Sequence, residues 1–154
     1  MIALSVVIIL TITAVPAFIQ AYQEYHVSTT TQQLYQVLQY ARSAAIENNQ
    51  TIYVNFQVGD NWCYGVNAGS SCSCNIANNC TLGSYSAPKV HDLTLSTTGL
   101  TGNNLTFEGT HGAANVTSTI TFTLYGGTVA LGMDVTPFGD MQLCSSTIHG
   151  YSAC

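Results

Sequence analysis

The stretch "MIALSVVIILTITAVPAFIQ" (residues 1–20) decides the fold, because it is almost wholly apolar and carries no charge. As an α-helix, residues 1–19 span about 28 Å at 1.5 Å per residue, close to the thickness of a bilayer core. A secretory signal peptide has a positive region before its apolar run, whereas the first basic residue here is Arg42. Residues 1–20 are therefore predicted to form a membrane anchor, with a kink or loosening at Pro16.

The helical pattern continues past the anchor, now on one side only. Apolar and aromatic residues recur at helical spacing: Phe18, Tyr22, Tyr25, Leu34, Val37, Leu38, Ala41 and Ala45. Asn48 and Asn49 are plausible terminating residues. The sequence predicts one stalk helix over residues 1–49, apolar all round in its first third and amphipathic in its second half.

After residue 50 the apolar period changes from 3.6 to 2, which is typical of half-buried strands. Segments with this character are "TIYVNFQV" (51–58), "WCYGV" (62–66), "KVHDLTLS" (89–96), "NLTFE" (104–108), "STITFTLY" (118–125), "TVALGMDV" (128–135) and "DMQLC" (140–144). The segment "TPFG" (136–139) is typical of a turn that Pro137 initiates. Residues 50–154 are therefore predicted to form an antiparallel β-rich globular head, which makes the chain α+β.

Charge is scarce along the whole chain. Charged residues make up 6% of the sequence, the net charge is −5, and Arg42 and Lys89 are the two basic residues. A neutral surface has little self-repulsion, which favours a protein that packs against copies of itself, although a glycosylated secreted protein has a similar composition. Direct binding to duplex DNA is not expected, because it requires several cations near phosphates.

The six cysteines predict a disulfide framework, since an even count outside the cytoplasm ordinarily forms one. They are Cys63, Cys72, Cys74, Cys80, Cys144 and Cys154. Zinc is the alternative, but the first four lack the paired C-x-x-C spacing of structural zinc sites. A bond between Cys72 and Cys74 is not expected, because side chains two apart on an extended strand are too far apart for an unstrained bridge. Other pairings among the first four remain open.

Catalytic chemistry finds no motif in this sequence. Neither G-x-S-x-G nor H-E-x-x-H occurs, and the acidic residues are scattered. The sequence therefore predicts no enzyme, metal site or cofactor. Four N-x-S/T sequons leave glycosylation open; they begin at Asn49, Asn79, Asn104 and Asn115.

Several segments together resemble the type IV pilin-like proteins, within them the GspH/FimT group of minor pilins and pseudopilins. "MIALSVVIILTITAVPAF" (1–18) is similar to the pilin N-terminal segment with its first six residues missing. "LQYARSAAIENNQTIYV" (38–54) is similar to the group's helix end, and "NWCYGV" (61–66) stands where the group tends to have W-x-x-G. The family's glutamate near the mature N-terminus has no counterpart, since Ser5 falls past its place; we expect that the sequence starts late.

The resemblance implies a structural subunit of an extracellular type IV pilus-like filament. Its expected partners are copies of itself, the pilus assembly machinery and, before assembly, the inner membrane. The predicted filament core comprises Val6, Val7, Ile8, Ile9, Leu10 and Pro16. The resemblance also implies a closing disulfide between Cys144 and Cys154. The alternatives are a minor pseudopilin of a type II secretion system and a minor pilin of DNA uptake.

Overall fold

The computed structural model describes residues 2–87, 93–124 and 127–154, with side chains from residue 18 onward in those ranges. One long helix is followed by antiparallel strands, which confirms the predicted α+β class. The bounds are α1 Ile2–Asn48, β1 Ile52–Gln57, β2 Cys63–Ala68, β3 Gly83–Ser86, β4 Leu93–Thr98, β5 Asn104–Phe107, β6 Ser118–Leu124, β7 Ala130–Val135 and β8 Met141–Cys144, with a 3₁₀ turn at Thr101–Asn103.

The strands form two four-stranded sheets. Sheet A has the order β3-β2-β1-β5, and sheet B has the order β4-β6-β7-β8. The turn after β1 connects them, because the N–H of Gly59 donates to the carbonyl of Leu95 at 2.8 Å and the N–H of Leu95 donates back at 3.2 Å. Trp62 adds a second link, since its indole N–H donates to the carbonyl of Leu93 at 3.0 Å.

Seven strands correspond to predicted segments, with ends that differ by one or two residues where the structure describes them, and β3 was not predicted. Residues 89–92 of the segment that contains β4, and Tyr125 after β6, lie outside the described residues. Strand β3 has the sequence "GSYS" (83–86) and is mostly exposed. Apolar and polar residues do not alternate along this segment, so its sequence gives no period-2 signal for a strand.

The helix ends in a Schellman motif. Asn49 has a left-handed backbone, with φ of 47°. The N–H of Asn49 donates to the carbonyl of Ile46 at 3.3 Å, and that of Gln50 donates to the carbonyl of Ala45 at 3.1 Å. This is the double closure expected when asparagine or glycine follows a helix. It turns the chain directly into β1.

The C-terminal half of α1 packs across both sheets and forms the centre of the core. Its buried residues recur at spacings of three and four: Val27, Thr31, Leu34, Leu38, Ala41, Ala44 and Ala45. The buried Thr31 hydroxyl donates to the carbonyl of Val27 at 2.8 Å, so burying it leaves no unpaired donor. Facing the helix, β1 buries Ile52, Val54 and Phe56.

Candidate assembly surface

Residues 18–26 of α1 lie outside the core of the head. Among the helix residues whose side chains the structure describes, Val27 is the first that is buried, and those before it leave large apolar side chains in solvent. Phe18 is 74% exposed and Tyr25 is 67% exposed. Ile19 and Tyr22 are each at least half exposed. Phe18, Tyr22 and Tyr25 share one helix face because they are spaced by four and three residues.

We call these four exposed side chains (Phe18, Ile19, Tyr22 and Tyr25) the stalk patch. Contiguous exposed apolar surface of this kind marks interaction sites on soluble domains. Two rings of the patch pack edge-to-face on His26, that of Tyr22 with ring centroids 4.4 Å apart and that of Tyr25 at 6.1 Å. The rings therefore stay available to another molecule.

The residues predicted to form the filament core lie N-terminal to the stalk patch. Helix α1 runs unbroken from Ile2 through Pro16, whereas the side chains of Val6, Val7, Ile8, Ile9, Leu10 and Pro16 lie outside the described residues. Among the residues that the structure describes, no helix is long and apolar enough to cross a membrane. For most of the anchor predicted at residues 1–20 the structure describes the backbone alone, since side chains are described from residue 18 onward.

Arg42 fixes the helix to two turns of the head. Its guanidinium donates to the carbonyl of Phe138 at 3.0 Å and lies 3.5 Å from the carboxylate of Asp140. Gly112 and Gly139 make room for it, since a Cβ on either would lie 2.9 Å from an Arg42 side-chain atom. Glycine at these places is thus required by close approach. This role was not predicted from the sequence, where the signal was a lone basic residue among the buried helix positions Ala41, Ala44 and Ala45.

The turn that accepts Arg42 is the one predicted at "TPFG". The N–H of Gly139 donates to the carbonyl of Thr136 at 2.9 Å, which closes a β-turn with Pro137 in its second position. Gly139 has φ of +78°, a backbone conformation that glycine adopts without strain.

Four cysteines attach a loop to the outer face of sheet A. Cys63 pairs with Cys74 and Cys72 pairs with Cys80, with Cα atoms 5.8 and 5.3 Å apart. Gly65 lies beneath them, and a Cβ there would lie 3.1 Å from the Cys72 sulfur and still closer to that of Cys80. The pairing contains no Cys72–Cys74 bond.

Amides on the outward positions of β1 and β2 hold the same loop. The side-chain oxygen of Asn55 accepts from the N–H of Cys72 at 2.9 Å, and that of Asn67 accepts from the N–H of Thr81 at 3.0 Å. Gln57 bonds to Asn75. The outward face of this hairpin therefore binds the cysteine loop, while its inward face forms the core.

The C-terminal segment closes on sheet B through the pairing that the resemblance implied. Cys144 in β8 pairs with Cys154, with Cα atoms 4.8 Å apart. The bridge lies over Gly132 of β7, where a Cβ would lie 2.8 Å from the Cys154 sulfur. A further backbone bond of 2.7 Å runs from the N–H of Ser145 to the carbonyl of Ser152.

The four sequons differ in accessibility. Asn49, Asn79 and Asn115 are exposed. Asn104 is half-buried in β5, and its amide oxygen is enclosed without a hydrogen-bond partner among the described residues. The structure thus leaves three of the four open to a modifying enzyme.

Titratable groups are dispersed over the head. No group of three metal-ligating side chains occurs among the described residues. The ring of His111 lies 3.6 Å from the carboxylate of Glu108 on an exposed loop. Arg42, one of the two basic residues, contacts Phe138 and Asp140. The other, Lys89, lies outside the described ranges. Within the described ranges, Arg42 is thus the one Lys or Arg side chain, and it is already bound to the head.

Two solved structures of the type IV minor pilin FimU from Pseudomonas aeruginosa are similar to this fold. One, in space group P21, is 21% identical with a TM-score of 0.63, and the match covers 84% of this chain and 96% of that chain. The other, in space group P65, is 22% identical with a TM-score of 0.59, covering 82% and 99%. At these identities the likeness concerns the fold, which is the pilin fold predicted from the sequence.

No curated protein matches the chain. The family described as "Type II transport protein GspH" matches residues 30–139, which extend from the middle of α1 to the turn before β8. That match covers well over half of the chain. The protein is therefore a member of the GspH family, within the type IV pilin-like group.

Proposed function

We propose that this protein is a structural subunit of an extracellular type IV pilus-like filament that assembles through its N-terminal helix. The observation that carries the proposal is the stalk patch: α1 leaves the head before Val27 with large apolar side chains in solvent. The helix extends from His26 back to Ile2, about 37 Å at 1.5 Å per residue. One head of this size is too small to bury all sides of a helix of that length.

The energetics favour copies of the same helix as the partner. Each Val, Leu, Ile or Phe side chain that becomes buried contributes about 1.5–3 kcal/mol relative to exposure, before ordering costs. The run from Val6 to Leu10 covers the whole circumference of a helix, so several neighbouring helices are needed to bury it. The low charge of the chain gives little repulsion to oppose such packing.

The same segment supports the proposed location and partners. Before assembly the apolar residues 1–20 reside in the inner membrane, where the pilus assembly machinery takes up the subunit. After assembly the helices form the core of the filament and the β-rich heads form its outer surface. The protein acts by packing and has no catalytic role.

A change of Ile9 to Asp tests the proposal. The new carboxylate would be buried among apolar neighbours in the filament, so assembly should be lost. Gln36→Asp is the matched control, because it places the same charge on the same helix at an exposed position within the head. Electron microscopy of secreted filaments should show none for the first variant and normal numbers for the second. Normal filaments from Ile9→Asp would contradict the proposal and favour a plain membrane anchor.

A second candidate function is that of a minor pseudopilin of a type II secretion system, which the family description favours. The two functions differ in the composition of the assembly. A filament subunit should repeat along the purified filament, whereas a minor pseudopilin should be present in a few copies, and its loss should stop protein secretion. Deletion followed by separate assays of surface filaments and of secreted proteins distinguishes them.

A further inference from the structure

A groove of about 380 Å³ lies between α1 and the β2–β3 end of sheet A. It exists because α1 packs mainly on β1, β6 and β7, while β2 and β3 extend sheet A beyond the helix. Its volume is at the lower end of the range for small-ligand pockets, about 300–1,000 Å³. It is separate from the stalk patch except at Tyr25, which borders both.

The floor of the groove is a row of aromatic rings. Tyr64 and Tyr85 are directly opposite each other in the β2–β3 register, with ring centroids 5.0 Å apart and planes at 22°. The Trp62 ring lies parallel to that of Tyr64, at 6.1 Å and 2°. Tyr64 and Trp62 are almost fully buried, whereas Tyr85 is 45% exposed. Tyr85 thus offers a ring whose orientation its buried neighbour fixes.

The rim of the groove is polar. His26, Thr29 and Gln33 line it from the helix, and Ser86 lines it from the sheet. No Asp, Glu, Lys or Arg is among the described residues that line it. Burial, with a smaller contribution from the Tyr85 phenol, raises the pKa of Tyr64 far above its ordinary value. The Tyr64 hydroxyl therefore keeps its proton and remains a neutral donor and acceptor.

We propose that this groove binds a neutral saccharide, with one sugar ring packed against Tyr85. The C–H face of a pyranose is apolar and packs on an aromatic ring, as any apolar surface does. Its hydroxyl groups both donate and accept, and the amide of Gln33 and the hydroxyl of Ser86 offer both roles. An ionic ligand would find no carboxylate, ammonium or guanidinium group in the described lining.

The polar rim also distinguishes a saccharide from a second copy of the helix. An apolar helix in the groove would bury the rim's amide and hydroxyl groups without hydrogen bonds, which is costly. A saccharide would pair with them instead. The proposal goes beyond filament assembly and does not depend on it.

Trp62 provides the measurement, because it is the single tryptophan of the chain and lines the groove. The full chain, in a detergent without a sugar headgroup, is titrated with maltotriose, cellotriose and tri-N-acetylchitotriose. At least one should change the Trp62 emission saturably, with a Kd of about 1 mM or tighter. Tyr85→Ala should weaken that binding about tenfold, as expected for loss of one aromatic contact.

Three further variants make the result decisive. Tyr40→Ala removes a tyrosine that is 54% exposed on the helix outside the groove, so binding should be unchanged. Tyr85→Phe keeps the ring and should retain most of the affinity. If Tyr85→Ala does not fold, as judged by circular dichroism, Gln33→Ala replaces it, because Gln33 is exposed and bears no core contact.

The proposal fails if none of the saccharides gives a saturable change in the wild-type chain. It also fails if Tyr40→Ala weakens binding as much as Tyr85→Ala does. Self-assembly of the chain could itself change the Trp62 emission and prevent saccharide binding. That result would contradict the proposal and show that the groove is an interface between copies of the chain. Loss of filaments with binding intact would count against the proposed function alone.

Discussion

The guanidinium group of Arg42 donates a hydrogen bond of 3.0 Å to the main-chain carbonyl of Phe138. The two residues are 96 positions apart in the chain, and the bond joins the last turns of α1 to the turn before β8. The Arg42 side chain is about three-quarters buried, whereas the nearby Asp140 side chain is 75% exposed. Arg42 therefore acts mainly through its contact with the backbone and the packing of its stem.

Arg42→Ala should destabilise the head by about 1–3 kcal/mol, because it removes a charge-assisted hydrogen bond and leaves space beside Gly112 and Gly139. Asp140→Ala should cost less than about 1 kcal/mol, since exposed ion pairs contribute little. Urea unfolding of both variants, with disulfides intact, measures the two free energies. Equal costs would show that the ion pair, and not the carbonyl bond, holds the helix.

Gly65→Ala should interfere with the cysteine loop, because an added Cβ would overlap the Cys72–Cys80 bridge. We expect free thiols in a measurable fraction of the chains, detected by alkylation and mass spectrometry without reduction. Ser71→Ala, an exposed change in the same loop, should show none. Complete oxidation with unchanged stability in Gly65→Ala would mean that the loop packs differently on sheet A.

Peptide mapping without reduction should recover three bridges: Cys63–Cys74, Cys72–Cys80 and Cys144–Cys154. Closure of loops of this length contributes about 2.5–3 kcal/mol each through the unfolded chain. A peptide that joins Cys154 to Cys63 would contradict the arrangement on both sheets.

Phe18→Ser should weaken assembly without affecting the fold of the head. Phe18 is 74% exposed in the single chain, so the free energy of unfolding should change by no more than about 0.5 kcal/mol. The concentration at which filaments form should rise about tenfold, because one buried aromatic contact is lost. Tyr40→Ser is the control, and an equal effect on assembly there would argue against the stalk patch as the contact surface.

Duplex DNA should bind no more tightly than about 10⁻⁴ M at physiological salt, the weak end of non-specific association. The reason is the scarcity of cations, of which Arg42 is already engaged by Phe138 and Asp140. Mobility shifts at low salt check this. A tight, salt-sensitive complex would instead support the DNA-uptake alternative.

The spacing of apolar residues predicted the helix and the strands whose buried residues recur at a regular interval. The helix, its end at Asn48 and the strand from Ile52 follow from apolar spacing and from an asparagine at the end of the helix. Strand β3 could not be predicted, because its polar residues gain their conformation from pairing with β2. The choice between the two remaining pairings of the first four cysteines depends on which face of sheet A the loop covers, and local sequence does not specify that face.

The site was predictable only in part, for the same reason. The helical spacing placed Phe18, Tyr22 and Tyr25 on one face of the helix and favoured packing of that face against the head, whereas the structure leaves these rings exposed. Arg42 and the groove at Tyr85 arise from contacts between segments distant in the chain. Such contacts follow from strand order and register, which a single sequence does not define.

The placement of the three disulfides determines how a subunit would respond to mechanical load. None of the six cysteines lies in α1, and no bridge joins sheet A to sheet B. The helix stays linked to β1 by the backbone, but its packing on the sheets is reinforced by no disulfide and depends on noncovalent contacts, such as those of Val27 to Ala45 and of Arg42. Under tension the helix should shear from the sheets first, while the segments 63–80 and 144–154 keep their length.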